Sequence, residues 1–193
     1  MTTITAFQNI TLDGVMQGPG RPDEDTRGAF HAGGWATGYR DEVSMAYAAE
    51  GMRTPGALLF GHRTYRDVLD HWTTRPEPNP FAQVLLSTPK YVVSRDPGTV
   101  LRHPASTLLA GDGVERVREL KAAGGPDLMV MGSGELVRAL HAAHLVDRFT
   151  LQVHPIVLGA GTRLFGDGER VDLTLGRTIS TTTGVVIAEY AVR

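Results

Sequence analysis

The chain opens on a run in which β-branched and aromatic residues crowd together. Residues 3–12, TITAFQNITL, break off at Asp13-Gly14, which predicts a first strand ending in a turn. Residues 13–34 then hold six glycines, two prolines and many charges. That composition and length predict a long loop, functional or mobile and close to a site. From Tyr39 to Met52, Val43, Tyr47 and Met52 recur at helical spacing between Gly38 and the Thr54-Pro55-Gly56 breaker, predicting the first helix. The short apolar run Ala57 to Phe60, closed by Gly61, predicts a buried parallel strand feeding a helix over about Thr64 to His71.

A Pro-rich loop (RPEPNP, 75–80) precedes a short helix around Phe81 to Leu86, a strand at Lys90 to Ser94 (KYVVS) and another at Thr107 to Ala110. Residues 113–123 place Val114, Val117, Leu120 and Lys121 on an amphipathic helix that Gly124-Gly125-Pro126 stops. Asp127 to Met131 reads as a strand, followed at once by Gly132-Ser133-Gly134 and a helix carrying Leu136, Val137, Leu140 and Ala143. Beyond it the period changes to two. Asp147 to Leu158, Val171 to Ile179 and Gly184 to Val192 are strand-like with little helix between them. The order predicts one α/β domain over residues 1–193. Its three layers are a mostly parallel central sheet with helices on both faces and an antiparallel C-terminal edge.

Composition narrows the chemistry. A chain of 193 residues, 41% hydrophobic and 21% charged, matches a globular protein that buries roughly 70% of its unfolded surface. Nineteen Lys plus Arg against 21 Asp plus Glu leave a net charge of -2. The basic excess that phosphate-backbone binding needs is missing, so nucleic acid is not expected as a partner. The absence of cysteine excludes disulfides, thiolate catalysis, iron-sulfur clusters and Cys-based zinc sites, and fits a reducing compartment. Met1-Thr-Thr-Ile-Thr-Ala-Phe has neither a basic n-region nor an apolar h-region, and no stretch approaches the ~18 apolar residues of a membrane span. The expectation is a cytoplasmic protein with no membrane partner.

Three strand-to-helix or strand-to-turn junctions carry candidate chemistry: Gly61-His62-Arg63-Thr64, Ser94-Arg95-Asp96 and Gly132-Ser133-Gly134. In open α/β sheets ligands sit beyond the carboxyl ends of strands, where free helix N-terminal N–H groups favour phosphate. Gly61-His62-Arg63-Thr64 offers close backbone approach, a guanidinium and a hydroxyl; alternatively, Thr64 caps its helix and Arg63 is merely solvated. Ser94-Arg95 suits a 2'-phosphate dianion, or is a surface turn. Gly132-Ser133-Gly134-Glu135-Leu136-Val137 lacks the third glycine of a dinucleotide fingerprint and equally fits tight helix–strand packing. His141 and His144 share a helix face, but no converging ligands accompany them, so no metal is expected. His154-Pro155, in the strand before Gly159-Ala160-Gly161, is read as packing at a dimer contact. No G-x-S-x-G elbow points to a serine hydrolase.

Thr11-Leu12-Asp13-Gly14, ALLFGHRTYRDV (57–68), KYVVSR (90–95), VMGSGELVRALHAAHLVDRFTLQVHPIVLGAGTRLF (130–165) and the closing strands together carry a resemblance. Over nearly its whole length the chain resembles the dihydrofolate-reductase-like superfamily. Within it, the chain is similar to the proteins grouped with the C-terminal reductase domain of the riboflavin-biosynthesis deaminase-reductase. The resemblance implies NADPH as cofactor and hydride transfer to a C=N or C=O of a pterin, a riboflavin-pathway pyrimidine or a related imine. It also implies a homodimer. By position, Gly61, Arg63 and Thr64 would meet cofactor phosphates, with Ser94 and Arg95 toward the adenosine end. Gly132, Ser133, Gly134, Glu135 and Leu136 would line the pyrophosphate, and Leu12, Asp13 and Gly14 would border nicotinamide and substrate.

Two departures matter. The family writes Arg directly after the first glycine, whereas His62 and Arg63 share those positions here, so either side chain could meet phosphate. A Cys-free chain also cannot hold the zinc deaminase half. The resemblance implies a helix carboxylate that assists protonation; Asp41, ahead of Glu42 after Trp35, is its first-ranked equivalent, with ordered water as the other donor. The helix dipole alone would also favour acids there. The alternatives to a reductase are a non-catalytic nucleotide or metabolite sensor, and a flavin-binding protein, on the same scaffold.

Overall fold

The structure, a computed structural model, describes all residues except 54, 55, 77, 78 and 167. Thr54 and Pro55 of the predicted helix stop, Glu77 and Pro78 of the Pro-rich loop and the side chain of Met52 therefore lie outside the described part. The strands are β1 (Ile4–Thr11), β2 (Ala57–Gly61), β3 (Lys90–Ser94), β4 (Ser106–Ala110), β5 (Leu128–Val130), β6 (Arg148–His154), β7 (Leu173–Ser180) and β8 (Val186–Val192). The helices are α1 (Glu42–Arg53), α2 (His62–Thr73), α3 (Pro80–Ser87), α4 (Gly113–Ala123) and α5 (Gly134–Ala142). They build one eight-stranded sheet in the order β4-β3-β2-β5-β1-β6-β8-β7. The β4-β3-β2-β5-β1 pairings are parallel and the β6-β8-β7 pairings antiparallel, the predicted α/β architecture.

By its internal contacts the chain forms two compact units, Met1–Ala6 with Met52–Val146, and Phe7–Gly51 with Asp147–Arg193. The first holds the repeated strand–helix pattern. Its core gathers Phe60, Tyr65, Leu69, Leu85 and Val92, with Trp72 and Phe81 packed against it. Full burial of each such side chain contributes about 1.5–3 kcal/mol. Helix α3 starts where Asn79 Oδ1 accepts the Ala82 N–H, while Asn79 Nδ2 donates to Trp72 O at the end of α2. It ends on a charge: Lys90, 1% exposed, donates from Nζ to Leu85 O at 2.6 Å and Thr88 O at 2.7 Å. The helix C-terminus thereby receives a cation where its dipole is negative.

In the second unit, residues 13–34 lack regular structure apart from one 3-10 turn, Arg27–Ala29, yet they are packed. Val15, Phe30 and Trp35 form a buried cluster. Gln17 Nε2 donates to Asp25 O and Arg27 O, its Oε1 accepts from Thr162, and Trp35 Nε1 donates to Gln17 O. Strand β6 stops at His154 rather than running to Leu158, because Pro155 has no N–H to continue the ladder. Helix α1 begins at Glu42, after a 3-10 turn at Thr37–Tyr39 that replaces the predicted helical start.

Candidate functional site

In the first unit the parallel strands β2 and β5 pair directly; β2 runs straight into α2, and β5 reaches α5 through the three residues 131–133. At the β2–α2 junction Gly61 occupies the N-cap of α2 and makes no side-chain cap bond. The alternative in which Thr64 caps α2 is therefore not what forms. At the neighbouring junction Ser133 caps α5, its Oγ accepting the Leu136 N–H at 3.4 Å. The two turns lie against each other. A Cβ on Gly61 would fall 2.8 Å from Ser133 Oγ, and one on Gly132, whose φ is +113°, would fall 3.0 Å from Thr64 Cγ2. Glycine is required at both places, by close approach at Gly61 and also by backbone conformation at Gly132. Two helix N-termini are so brought side by side, each with orphan N–H groups and the positive dipole end.

Arg63, in the first turn of α2, is exposed and forms no hydrogen bond or ion pair among the described residues. His62 beside it turns its Nε2 into the protein, buried and without a hydrogen-bond partner among the described residues. Of the two side chains that share the motif, Arg63 is the one at the surface. The other phosphate candidates of this unit sit at the end of β3. Ser94 Oγ is 2.7 Å from Thr99 Oγ1, and Ser94 O accepts the Gly111 N–H, while Arg95 is exposed without a protein partner among the described residues. The sequence reading missed a further junction, Gly111-Asp112-Gly113, between β4 and α4. There Asp112 Oδ1 accepts from Val114 and Glu115 N–H, and Gly113 packs directly on Val93. Its Gly-x-Gly spacing was the available signal; a capping carboxylate makes it a poor anion site.

The second unit holds the remaining candidates. Asp13 braces a turn: its carboxylate accepts from Thr11 Oγ1 at 2.6 Å, Leu158 N at 3.2 Å and Gly159 N at 2.8 Å. The Thr11 hydroxyl, followed by those backbone donors, holds its pKa down to about 2. Gly14 closes that turn at φ +80°, and Leu12 projects outward, 65% exposed.

Asp41, ranked first as proton donor, is the N-cap of α1. Oδ1 accepts the Ser44 N–H at 2.8 Å, and Oδ2 accepts from the Thr182 backbone at 2.6 Å and hydroxyl at 2.7 Å. Ser44 Oγ in turn accepts the Asp41 N–H, a reciprocal cap. The Ser44 N–H, then the Thr182 hydroxyl, hold this carboxyl far below the usual carboxylate range. A group so held is ionised at neutral pH and carries no proton to give. His154 is buried inside this unit against Trp35, Tyr39 and Asn9, not on a face open to a dimer partner. Among the described residues no three His, Asp or Glu side chains converge as a metal site, and no helix is long and apolar enough to cross a membrane.

Comparison with known proteins bears on this arrangement. A curated relative, the uncharacterized protein YyaP of Bacillus subtilis, is 34% identical over 106 residues, 54% of this chain and 55% of YyaP. The chain thus spans about half the length of that relative. RibD of Acinetobacter baumannii has the same fold at TM-score 0.67 and 13% identity, covering all of this chain and 58% of RibD. So does a dihydrofolate reductase of Enterococcus faecalis complexed with NADP(H), at TM-score 0.56 and 13% identity over 99% of this chain and 96% of the reductase. Residues 2–187 match the RibD C-terminal domain, and with the fold and its paired glycine junctions already in place, the chain belongs to the RibD C-terminal domain family.

Proposed function

We propose that the protein is an NADPH-dependent reductase acting on a C=N or C=O of a small heterocycle of the pterin or pyrimidine type. The observation that carries the reading is the pair of glycine junctions in the first unit. They leave α2 uncapped by any side chain and set Arg63 beside it with no protein partner among the described residues. Backbone N–H groups at two adjoining helix starts and one free guanidinium fit a pyrophosphate dianion. A Cβ at Gly61 or Gly132 would fill the cradle.

In this reading Gly61, Arg63 and Thr64 hold phosphate, with Gly132, Ser133, Gly134, Glu135 and Leu136 lining it and Ser94 and Arg95 at the adenosine end. Leu12, Asp13 and Gly14 border the nicotinamide and the substrate. The cofactor, when bound, supplies the hydride; the protein supplies orientation and electrostatics. The geometry of Asp41 favours water as the proton source, with Asp41 fixing the start of α1. A homodimer in the cytoplasm completes the proposal.

Titration with NADPH and NADH, followed by nicotinamide fluorescence and melting temperature together, tests it. Native-state binding must raise stability. NADPH is expected to bind at least ~10-fold more tightly than NADH, since a 2'-phosphate adds charge-assisted bonds. Binding of neither nucleotide overturns the assignment and leaves a sensor or flavin protein.

A further inference from the structure

The reductase reading leaves His154, a buried polar residue of the second unit, without a task. His154, the last residue of β6, is 4% exposed. Trp35 meets its ring edge-on at 5.1 Å between centroids and Tyr39 does so at 5.4 Å. Its Nε2 lies 3.1 Å from Asn9 Oδ1, and its Nδ1 is buried with no hydrogen-bond partner among the described residues.

A carbonyl oxygen only accepts, so Nε2 carries the hydrogen and Nδ1 the lone pair. This tautomer costs least: a buried lone pair is tolerated better than a buried orphan N–H or a buried charged ring. Burial also holds the imidazole pKa down to about 4, so the ring is neutral at pH 7.

The consequence falls on Asn9. Its Oδ1 is engaged, which fixes the amide plane and turns the NH2 group away from His154. Asn9 is half-buried two residues before the end of β1, and its Nδ2 is neither sealed off nor bonded to protein among the described residues. A donor with a fixed direction and no acceptor among the described residues, near the carboxyl end of a strand and held by a histidine that two aromatic rings pack against, suits recognition of a flat polar heterocycle.

Resting on the reductase reading, we propose that Asn9 is a specificity-determining residue whose side-chain NH2 donates to a ring carbonyl of the substrate, and that His154 is the positioning residue that aims it. Such a donor selects a lactam or uracil carbonyl over an exocyclic amino group at the same place. Two facing donors would leave both unpaired.

The test reads binding rather than turnover. 5,6-Diaminouracil and 2,4,5,6-tetraaminopyrimidine share a ring and differ in carrying carbonyls or amino groups at two positions. Calorimetric titration, with and without NADPH, is expected to show the wild-type chain preferring diaminouracil about 10-fold, the equivalent of ~1.4 kcal/mol. Asn9→Ala should bring the ratio near one, and Asn9→Asp, which presents only acceptors, should reverse it. His154→Phe keeps the aromatic packing but frees the amide, so preference falls. His154→Gln retains an N–H donor and should keep most of it, which a purely structural role would not predict.

A preference that survives Asn9→Ala, equal binding of the two rings by wild type, or binding of neither ring overturns the inference. Should a His154 variant fail to melt cooperatively, the two Asn9 variants still decide. A chain that binds NADPH but does not discriminate the rings defeats this inference alone. One that discriminates the rings but binds no NADPH defeats the reductase reading instead.

Discussion

Helices α1 and α2 are each 12 residues long and start in opposite ways. Asp41 and Ser44 close the N-terminus of α1 reciprocally, and Thr182 donates twice more to Asp41. The N-terminus of α2 has glycine where a capping side chain would stand, and its nearest cation has no protein partner among the described residues. Every α-helix exposes the same orphan N–H groups. In α1 the Ser44 N–H is taken by the Asp41 side chain; in α2 no side chain caps the helix start. The contrast teaches that an acidic residue at a helix start is poor evidence for acid catalysis, whereas a missing cap beside a second glycine turn is good evidence for an anion.

Substitutions that close α2 should have the largest effect. Gly61→Val places atoms where Ser133 Oγ already is, and NADPH affinity should fall by more than ~100-fold, beyond the loss of one charged hydrogen bond. Fluorescence titration measures it. Arg63→Ala should weaken NADPH binding by roughly 10- to 100-fold. An exposed side chain without protein partners adds little to the fold, so urea midpoints should stay where they are. Unchanged NADPH affinity would remove Arg63 from the site.

The opposite result is expected at α1. Asp41→Ala should lower Tm by on the order of 5 °C through loss of the cap while leaving NADPH affinity intact. Asp41→Asn should keep most of its turnover; a loss of turnover with unchanged melting would restore Asp41 as the acid.

The smallest effect concerns pH. His154 is neutral in the fold down to about pH 4 but takes up a proton near the ordinary imidazole value of 6.5 once unfolded. The unfolded chain therefore binds more protons between those values. The contribution of the buried neutral ring is fully present above pH 6.5 and is lost as pH falls toward 4. Stability should drop by about 1 kcal/mol between pH 7 and pH 5.5, and His154→Gln should flatten that slope in urea titrations followed by fluorescence.

Local pattern was enough for most of the fold. The alternation in residues 3–12, the apolar runs before Gly61 and Gly132 and the period of the α4 and α5 segments are near-neighbour properties, and each became the element they imply. The glycine junctions were legible for the same reason, since a strand that turns into a helix within three residues or fewer leaves its glycine in the text. What stayed hidden depends on partners far along the chain. Asp41 looks like any first-turn acid until Thr182, 141 residues away, donates to it. Lys90 reads as a polar strand start, and its burial is offset by the carbonyls of Leu85, Leu86 and Thr88. The Gly- and charge-rich segment 13–34 reads as a long loop, functional or mobile, and the packing of Val15, Phe30 and Trp35 that holds it down is not legible there.

The sequence by itself determined the α/β class, the strand order's parallel-then-antiparallel change and the places where backbone must approach closely, because these follow from side-chain period and from glycine's missing Cβ. Tertiary structure decided which polar groups are spent. A carboxylate, an imidazole or a guanidinium has the same identity in the text whether its bonds are filled or open. Only folding brings Thr182 to Asp41 and Asn9 to His154, while leaving Arg63 without a protein partner among the described residues. The free energy of a buried or bonded polar group is set by those distant neighbours, not by the residue itself.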